Sequence, residues 1–214
     1  MPVTIIAERP AGVETVRATV LFADLRGYTT LAERLSPPVV VGLLDEFFSI
    51  LAEAIEGRSG TVFHSAGDSL MAGFGLSVPE AGPVRDAVEA SRRIVAAFAP
   101  VSERWRERHA VATGVGIGVH VGELAVADLG PTGFRRRTLI GDTVNVAARL
   151  CQRARAGEVL MSASVSDALE ASSVGDVIPL PDFTLRGRDA PVRIFCVPAR
   201  ERLVLDRATP LELS

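Results

Sequence analysis

Residues 61–75, TVFHSAGDSLMAGFG, decide the fold class. Two runs of strand-forming residues, Thr61–Ser65 and Ser69–Phe74, meet at Ala66-Gly67-Asp68. So short a connection joins antiparallel neighbours, because parallel strands need a crossover of about a dozen residues. Glycine and aspartate suit a tight turn, the first for its open backbone and the second for bonding its own backbone. Asp68 therefore sits at or beside a hairpin turn, four residues after His64. Whether it serves the turn or holds a ligand is open at this point.

Upstream, RATVLFAD (17–24) reads as a buried strand that ends in an acid, Asp24. It leads into LRGYTT, a small-residue turn that opens a short helix before Pro37-Pro38. Residues 39–56 carry Val40, Leu43, Leu44, Phe47, Phe48, Leu51 and Ile55 at helical spacing. Downstream, Pro83 opens a helix over roughly residues 83–107, with a break or bend expected at Pro100.

Residues 113–127, TGVGIGVHVGELAVA, alternate strictly. Val115, Ile117, Val119 and Val121 share one face; Gly114, Gly116, Gly118 and then His120 share the other. Period two makes this a strand, and a glycine face implies close approach by a helix or a second chain. Phe134–Ile140 reads as a strand, 141–153 as a helix with Asp142 as its N-cap, and Glu158–Met161 as a strand. A helix beginning at Ser162 or Ser164 and strands near Val174–Leu180 and Val192–Val197 close the chain. Antiparallel hairpins inside an alternation of strands and helices predict an α+β sandwich of ferredoxin-like or palm type. Its central sheet should be mainly antiparallel, with flanking helices.

The 214 residues suffice for one full-sized domain. The net charge of −3 argues against nucleic-acid binding. All 23 basic residues are arginine, so any task usually given to lysine falls to another residue. Two cysteines, Cys151 and Cys196, make neither a disulfide framework nor a cysteine-rich metal site. The first residues lack the pattern of a signal peptide, and no apolar run reaches the ~20 residues of a bilayer span. A soluble, cytoplasmic protein is expected.

If the two strand-end acids are neighbours, Asp24 and Asp68 converge on one edge of the sheet. Oxygen-only ligands there suit Mg²⁺ or Mn²⁺ alongside phosphate oxygens. Backbone N–H groups of Gly27, Tyr28 and Thr29 would be placed to hold a phosphate. Taken singly, each acid reads more readily as a cap or turn residue than as a metal ligand. In TLIGDTVNVAARL (138–150), Val144, Ala147, Ala148 and then Cys151 give an apolar stripe. Asn145 and Arg149, at i and i+4, project together from an adjoining face, suited to a phosphoryl group and its sugar or simply to solvent.

Four segments taken together resemble the class III adenylyl/guanylyl cyclase catalytic domain. They are VLFADLRGYTTLAERL (20–35), HSAGDSLMAGFG (64–75), TLIGDTVNVAARL (138–150) and LRGRDAPVRIF (185–195). Their order and spread imply a catalytic domain over 15–198, with an N-terminal extension (1–14) and a C-terminal tail (199–214). The resemblance implies formation of a 3′,5′-cyclic nucleotide and pyrophosphate from a nucleoside triphosphate. It implies that Asp24 and Asp68 hold two divalent ions, Mg²⁺ or Mn²⁺, that Asn145 positions the ribose, and that Arg149 stabilises charge on the α-phosphate. Arg186 falls where the family places a lysine on the terminal phosphates. Such sites lie between two catalytic domains, so a single-domain chain would form a homodimer.

The resemblance implies that His64 and Thr138 stand at the base-selecting positions, where they match neither the adenylyl nor the guanylyl pattern in full. No carboxylate is present to meet guanine's paired donors, which favours ATP and adenylate cyclase activity. The alternatives are a guanylate or mixed-specificity cyclase, and an inactive nucleotide-binding regulatory domain. Retention of Asp24, Asp68, Asn145 and Arg149 together weighs against the last.

Overall fold

The structure, a computed structural model, describes residues 13–76, 82–169, 177–184 and 191–197, with the backbone alone at 64–66 and 183. The described chain runs β1 (Glu14–Arg26), α1 (Tyr28–Arg34), α2 (Pro37–Glu56), β2 (Thr61–Ala66), β3 (Ser69–Phe74) and α3 (Pro83–His109). It continues with β4 (Gly114–Leu129), β5 (Arg136–Ile140) and α4 (Asp142–Arg153). Last come β6 (Val159–Ser162), α5 (Ala163–Ala168), β7 (Ile178–Phe183) and β8 (Val192–Val197).

The strands form one sheet in the order β2-β3-β1-β4-β6-β8-β7, with β5 paired to β4 outside that path. Every pairing is antiparallel except β4 with β6, whose connection passes through α4. The α+β expectation with a mainly antiparallel sheet and flanking helices holds. The axis of the fold is the long β1–β4 pair, in register from Glu14 opposite Val126 to Arg26 opposite Gly114.

That pair has two unlike faces. Leu21, Ala23 and Leu25 of β1 join Val115, Ile117, Val119 and Val121 of β4 in the main core, beneath α2 and α3. Phe98 of α3 packs on Phe47 of α2 and on Trp105, at ring separations of 5.1 and 5.2 Å. The Trp105 indole N–H donates to Glu46 Oε2 at 2.9 Å. These anchors explain why α3 runs unbroken through Pro100, against the expected interruption: the proline is exposed, while Phe98, Val101 and Trp105 on both sides of it are buried.

The glycine face receives α4, as anticipated for a helix. A Cβ on Gly118 would overlap Cys151 N and Ala147 O and lie 2.8 Å from Cys151 Cα. Helix and strand therefore meet main chain to main chain. At the start of α4, the Thr143 hydroxyl sits over Gly122 and donates to the Glu123 carbonyl at 2.6 Å.

Several boundaries differ from the expectation. Asp142 is the first residue of α4, not its N-cap; Gly141 holds the cap position and no side chain caps the helix. The buried stripe of α4 is Thr143, Val146, Ala147, Leu150 and Cys151, with Val144 and Ala148 at its margins. The stripe is rotated because the strand of glycines admits the backbone itself, so small and large residues share the contact. β5 starts at Arg136 because Phe134 and Arg135 belong to the exposed connection. The described part of β7 begins at Ile178.

Candidate active site

β1 and β3 pair so that Asp24 faces Ser69 across the ladder. The next residue, Leu25, donates its backbone N–H to the Asp68 carbonyl at 3.1 Å. Gly67, at φ +61°, supplies the left-handed turn that delivers Asp68 to this edge. The two acids thus converge as the sequence reading required.

Burial holds the Asp24 carboxyl above the ordinary carboxylate range; the Arg26 guanidinium opposes this and the nearby Asp68 carboxylate adds to it. A partly desolvated carboxylate repelled by a second one is a site that gains from a hard cation. Among the described residues, no cluster of three or more His, Cys, Asp or Glu side chains is placed to hold a metal. A pair of carboxylates fits a magnesium-type ion that takes its other ligands from water and substrate phosphates.

Arg26 was not singled out by the sequence reading. Its guanidinium pairs with Asp24 Oδ1 through Nη1 and donates to the Cys151 carbonyl through Nη2 and to the Ala154 carbonyl through Nε, the last at 2.9 Å. Both carbonyls belong to the C-terminal turn of α4, the negative end of its dipole. The Asp24 and Arg26 side chains are each about a quarter exposed (27% and 25%). Beneath them the Cys151 thiol donates to the Gly116 carbonyl at 3.2 Å, and burial pushes its pKa up to about 12. It is a packing thiol.

Gly27 takes a left-handed conformation at φ +87° as the residue before α1, with Tyr28 and Thr29 in the first turn. This turn directly follows Arg26, the last residue of β1, so Gly27, Tyr28 and Thr29 come within five residues of Asp24 along the chain. Asn145 is exposed and Arg149 half-buried, on the side of α4 away from its buried stripe. The acids and the Asn/Arg pair are thus carried on different elements, the first on the β1–β3 edge and the second on the outward side of α4.

His64 lies in β2 opposite Met71, just after an irregularity in the ladder at Val62 and His64. Thr138, half-buried, lies in β5 opposite Ala127. β2 and β5 pack near one another, and Leu139 joins Phe63 and Met71 in one apolar cluster. The two positions expected to select the base therefore sit on neighbouring elements. Arg186 lies outside the described residues.

The model of the adenylate and guanylate cyclase catalytic domain matches residues 13–197. The chain belongs to that family. It is a class III nucleotidyl cyclase domain, of the lyase class that makes cyclic nucleotides.

Its similarity to the adenylate cyclase of Anabaena cylindrica is 29% identity over 157 residues, covering 66% of this chain and 30% of that protein. The cyclase domain superposes on the guanylyl cyclase Cya2 with a TM-score of 0.78 at 25% identity, covering 87% of this chain and 93% of that one. It matches the adenylyl cyclase CyaB from P. aeruginosa with a TM-score of 0.76 at 24% identity, covering 89% and 97%. The chain spans about a third (34%) of the length of the first mycobacterial relatives it matches, at 32% identity. No helix among the described residues is long and apolar enough to cross a membrane.

Proposed function

We propose that this cyclase domain converts ATP to 3′,5′-cyclic AMP and pyrophosphate in a composite site of a cytoplasmic homodimer. The observation that carries the reading is the convergence of Asp24 and Asp68 at one edge, fixed by the Asp24–Ser69 pairing and the Leu25–Asp68 hydrogen bond. These carboxylates would hold two divalent ions, Mg²⁺ or Mn²⁺, which when bound acidify the ribose 3′-hydroxyl and neutralise the triphosphate. Gly27, Tyr28 and Thr29 offer main-chain donors to phosphate at the start of α1. Asn145 and Arg149 face outward on α4, and a second subunit would present them to these acids: the amide on the ribose, the guanidinium on charge growing at the α-phosphate. Arg186 is assigned to the terminal phosphates. His64 and Thr138 would read the base edge, and the lack of a carboxylate there supports ATP over GTP.

A second reading, a guanylate or mixed-specificity cyclase, rests on His64, whose neutral ring can accept from guanine as readily as it donates to adenine. Purified protein with ATP or GTP and Mg²⁺ or Mn²⁺ decides. Cyclic AMP and pyrophosphate in excess over cyclic GMP are expected. A dominant cyclic GMP signal would replace the first reading by the second, and binding without product from either would mark an inactive nucleotide-binding domain.

A further inference from the structure

Between Asp24 and the Gly27 turn stands Arg26, which has no part in the proposed chemistry. Arg26 is held by three acceptors: the Asp24 carboxylate and the carbonyls of Cys151 and Ala154. Two of the three are main-chain atoms at the end of α4, a position favourable to a cation in itself. The group also has a made seat. Gly116, opposite Asp24 in the ladder, lies under it, and a Cβ there would stand 2.5 Å from Nη2 and 2.7 Å from Nε. The guanidinium is fixed by the helix and the strand independently of the carboxylate.

We propose that Arg26 is a positioning residue that acts as a resident counter-cation of Asp24, so that the acid edge takes a bare divalent ion weakly and fills when the anionic triphosphate arrives. This rests on Asp24 being a metal ligand. Two carboxylates and one guanidinium leave a local charge of one negative unit, where two carboxylates alone would leave two. Arg26 engages Oδ1 of Asp24, which would leave the other oxygen for the ion. The triphosphate supplies the negative charge that the guanidinium has offset, so ion and nucleotide bind as a coupled pair.

The test uses Mn²⁺ alone, read by the loss of free-ion EPR signal as the full chain is titrated without nucleotide. Wild type, Asp24→Asn, Arg26→Gln, Arg26→Met and Arg26→Lys are compared. Removing one positive charge a few ångströms from a doubly charged ion should tighten Mn²⁺ binding on the order of tenfold in the Gln and Met variants. Arg26→Lys keeps the charge and should stay within about twofold of wild type. A role confined to holding the structure would weaken binding or leave it alone. Unchanged or weaker Mn²⁺ binding in a folded Gln or Met variant therefore overturns the proposal.

Should neither neutral variant fold, Arg26→Lys decides, and a change beyond twofold in either direction counts against the charge role. The Asp24→Asn control separates this inference from the function it rests on. If wild type and Asp24→Asn take up Mn²⁺ equally, the ion site itself is wrong. If Asp24→Asn abolishes uptake and the neutral Arg26 variants bind like wild type, only the role of Arg26 fails.

Discussion

Leu25 donates its backbone N–H to the carbonyl of Asp68 at 3.1 Å, and this one bond ties the end of the first strand to the hairpin turn more than 40 residues later. Because Asp24 immediately precedes Leu25, the spacing of the two acids is set by the sheet ladder and needs no side-chain contact between them. Preorganisation of like charges carries a cost, and that cost is measurable.

The Asp24 carboxyl is raised above its ordinary value by burial, against the pull of Arg26 and with the push of Asp68. Its folded value therefore lies above its unfolded one. At neutral pH the folded state carries the cost of an ionised Asp24 that the unfolded chain escapes, and the cost fades as pH falls through the folded value. Metal-free Asp24→Asn should melt above wild type at pH 7, and the gap should narrow toward pH 4. Thermal melts across that range check it; a variant that melts lower at pH 7 would contradict the electrostatic account.

Removing Arg149 should lower turnover by about 10²–10³-fold, the scale for a preorganised stabiliser of developing charge. The proposed composite arrangement adds a sharper test. Asp24→Ala and Arg149→Ala, each retaining at most about a hundredth of wild-type activity alone, should regain about a quarter of it when mixed in equal amounts after subunit exchange. Half of the dimers then pair one variant with the other, and each such dimer holds one intact site. No recovery on mixing would show that acids and guanidinium serve the same subunit.

His64→Lys should raise the ATP-to-GTP ratio of kcat/KM, since an ammonium donates to adenine N1 and offers nothing to the guanine N1–H. A shift of about 10-fold is expected for one base-edge hydrogen bond. Side-by-side kinetics with the two nucleotides measure it, and an unmoved ratio removes His64 from base selection.

Gly118→Ala places a methyl group against the backbone of α4, at Cys151 and Ala147. Overpacking of this kind costs about 1–3 kcal/mol, or a fall of roughly 3–10 °C in Tm for a chain of this size. Calorimetry would reveal it. A neutral substitution would mean that α4 can lift away from β4 without penalty.

Period-two alternation in 113–127 and the Ala66-Gly67-Asp68 turn made the antiparallel centre legible, because both are local signals. The convergence of Asp24 and Asp68 was legible only conditionally, as it needed β1 and β3 to be neighbours, and the ladder now supplies that. Arg26 was invisible for the opposite reason. Two of its three partners lie some 125 residues further along the chain, and nothing near LRGYTT announces them. The rotation of the α4 stripe toward Thr143, Val146 and Leu150 was missed because apolar spacing alone cannot say how close a glycine-faced strand lets a helix come. The uninterrupted passage of α3 through Pro100 depends on Phe98 and Trp105 meeting Phe47 and Glu46 on a separate helix.

The contact at Gly118 has a practical corollary. Since α4 is gripped from its inner side by the main chain of β4, the exposed Asn145 on its outer side takes no part in that packed contact. That one side chain can be exchanged like a tool in a fixed holder. A variant altered at Asn145 should keep its shape and its thermal profile and, on the proposed role of that amide, would hold an unreacted triphosphate long enough for the loaded complex to be crystallised.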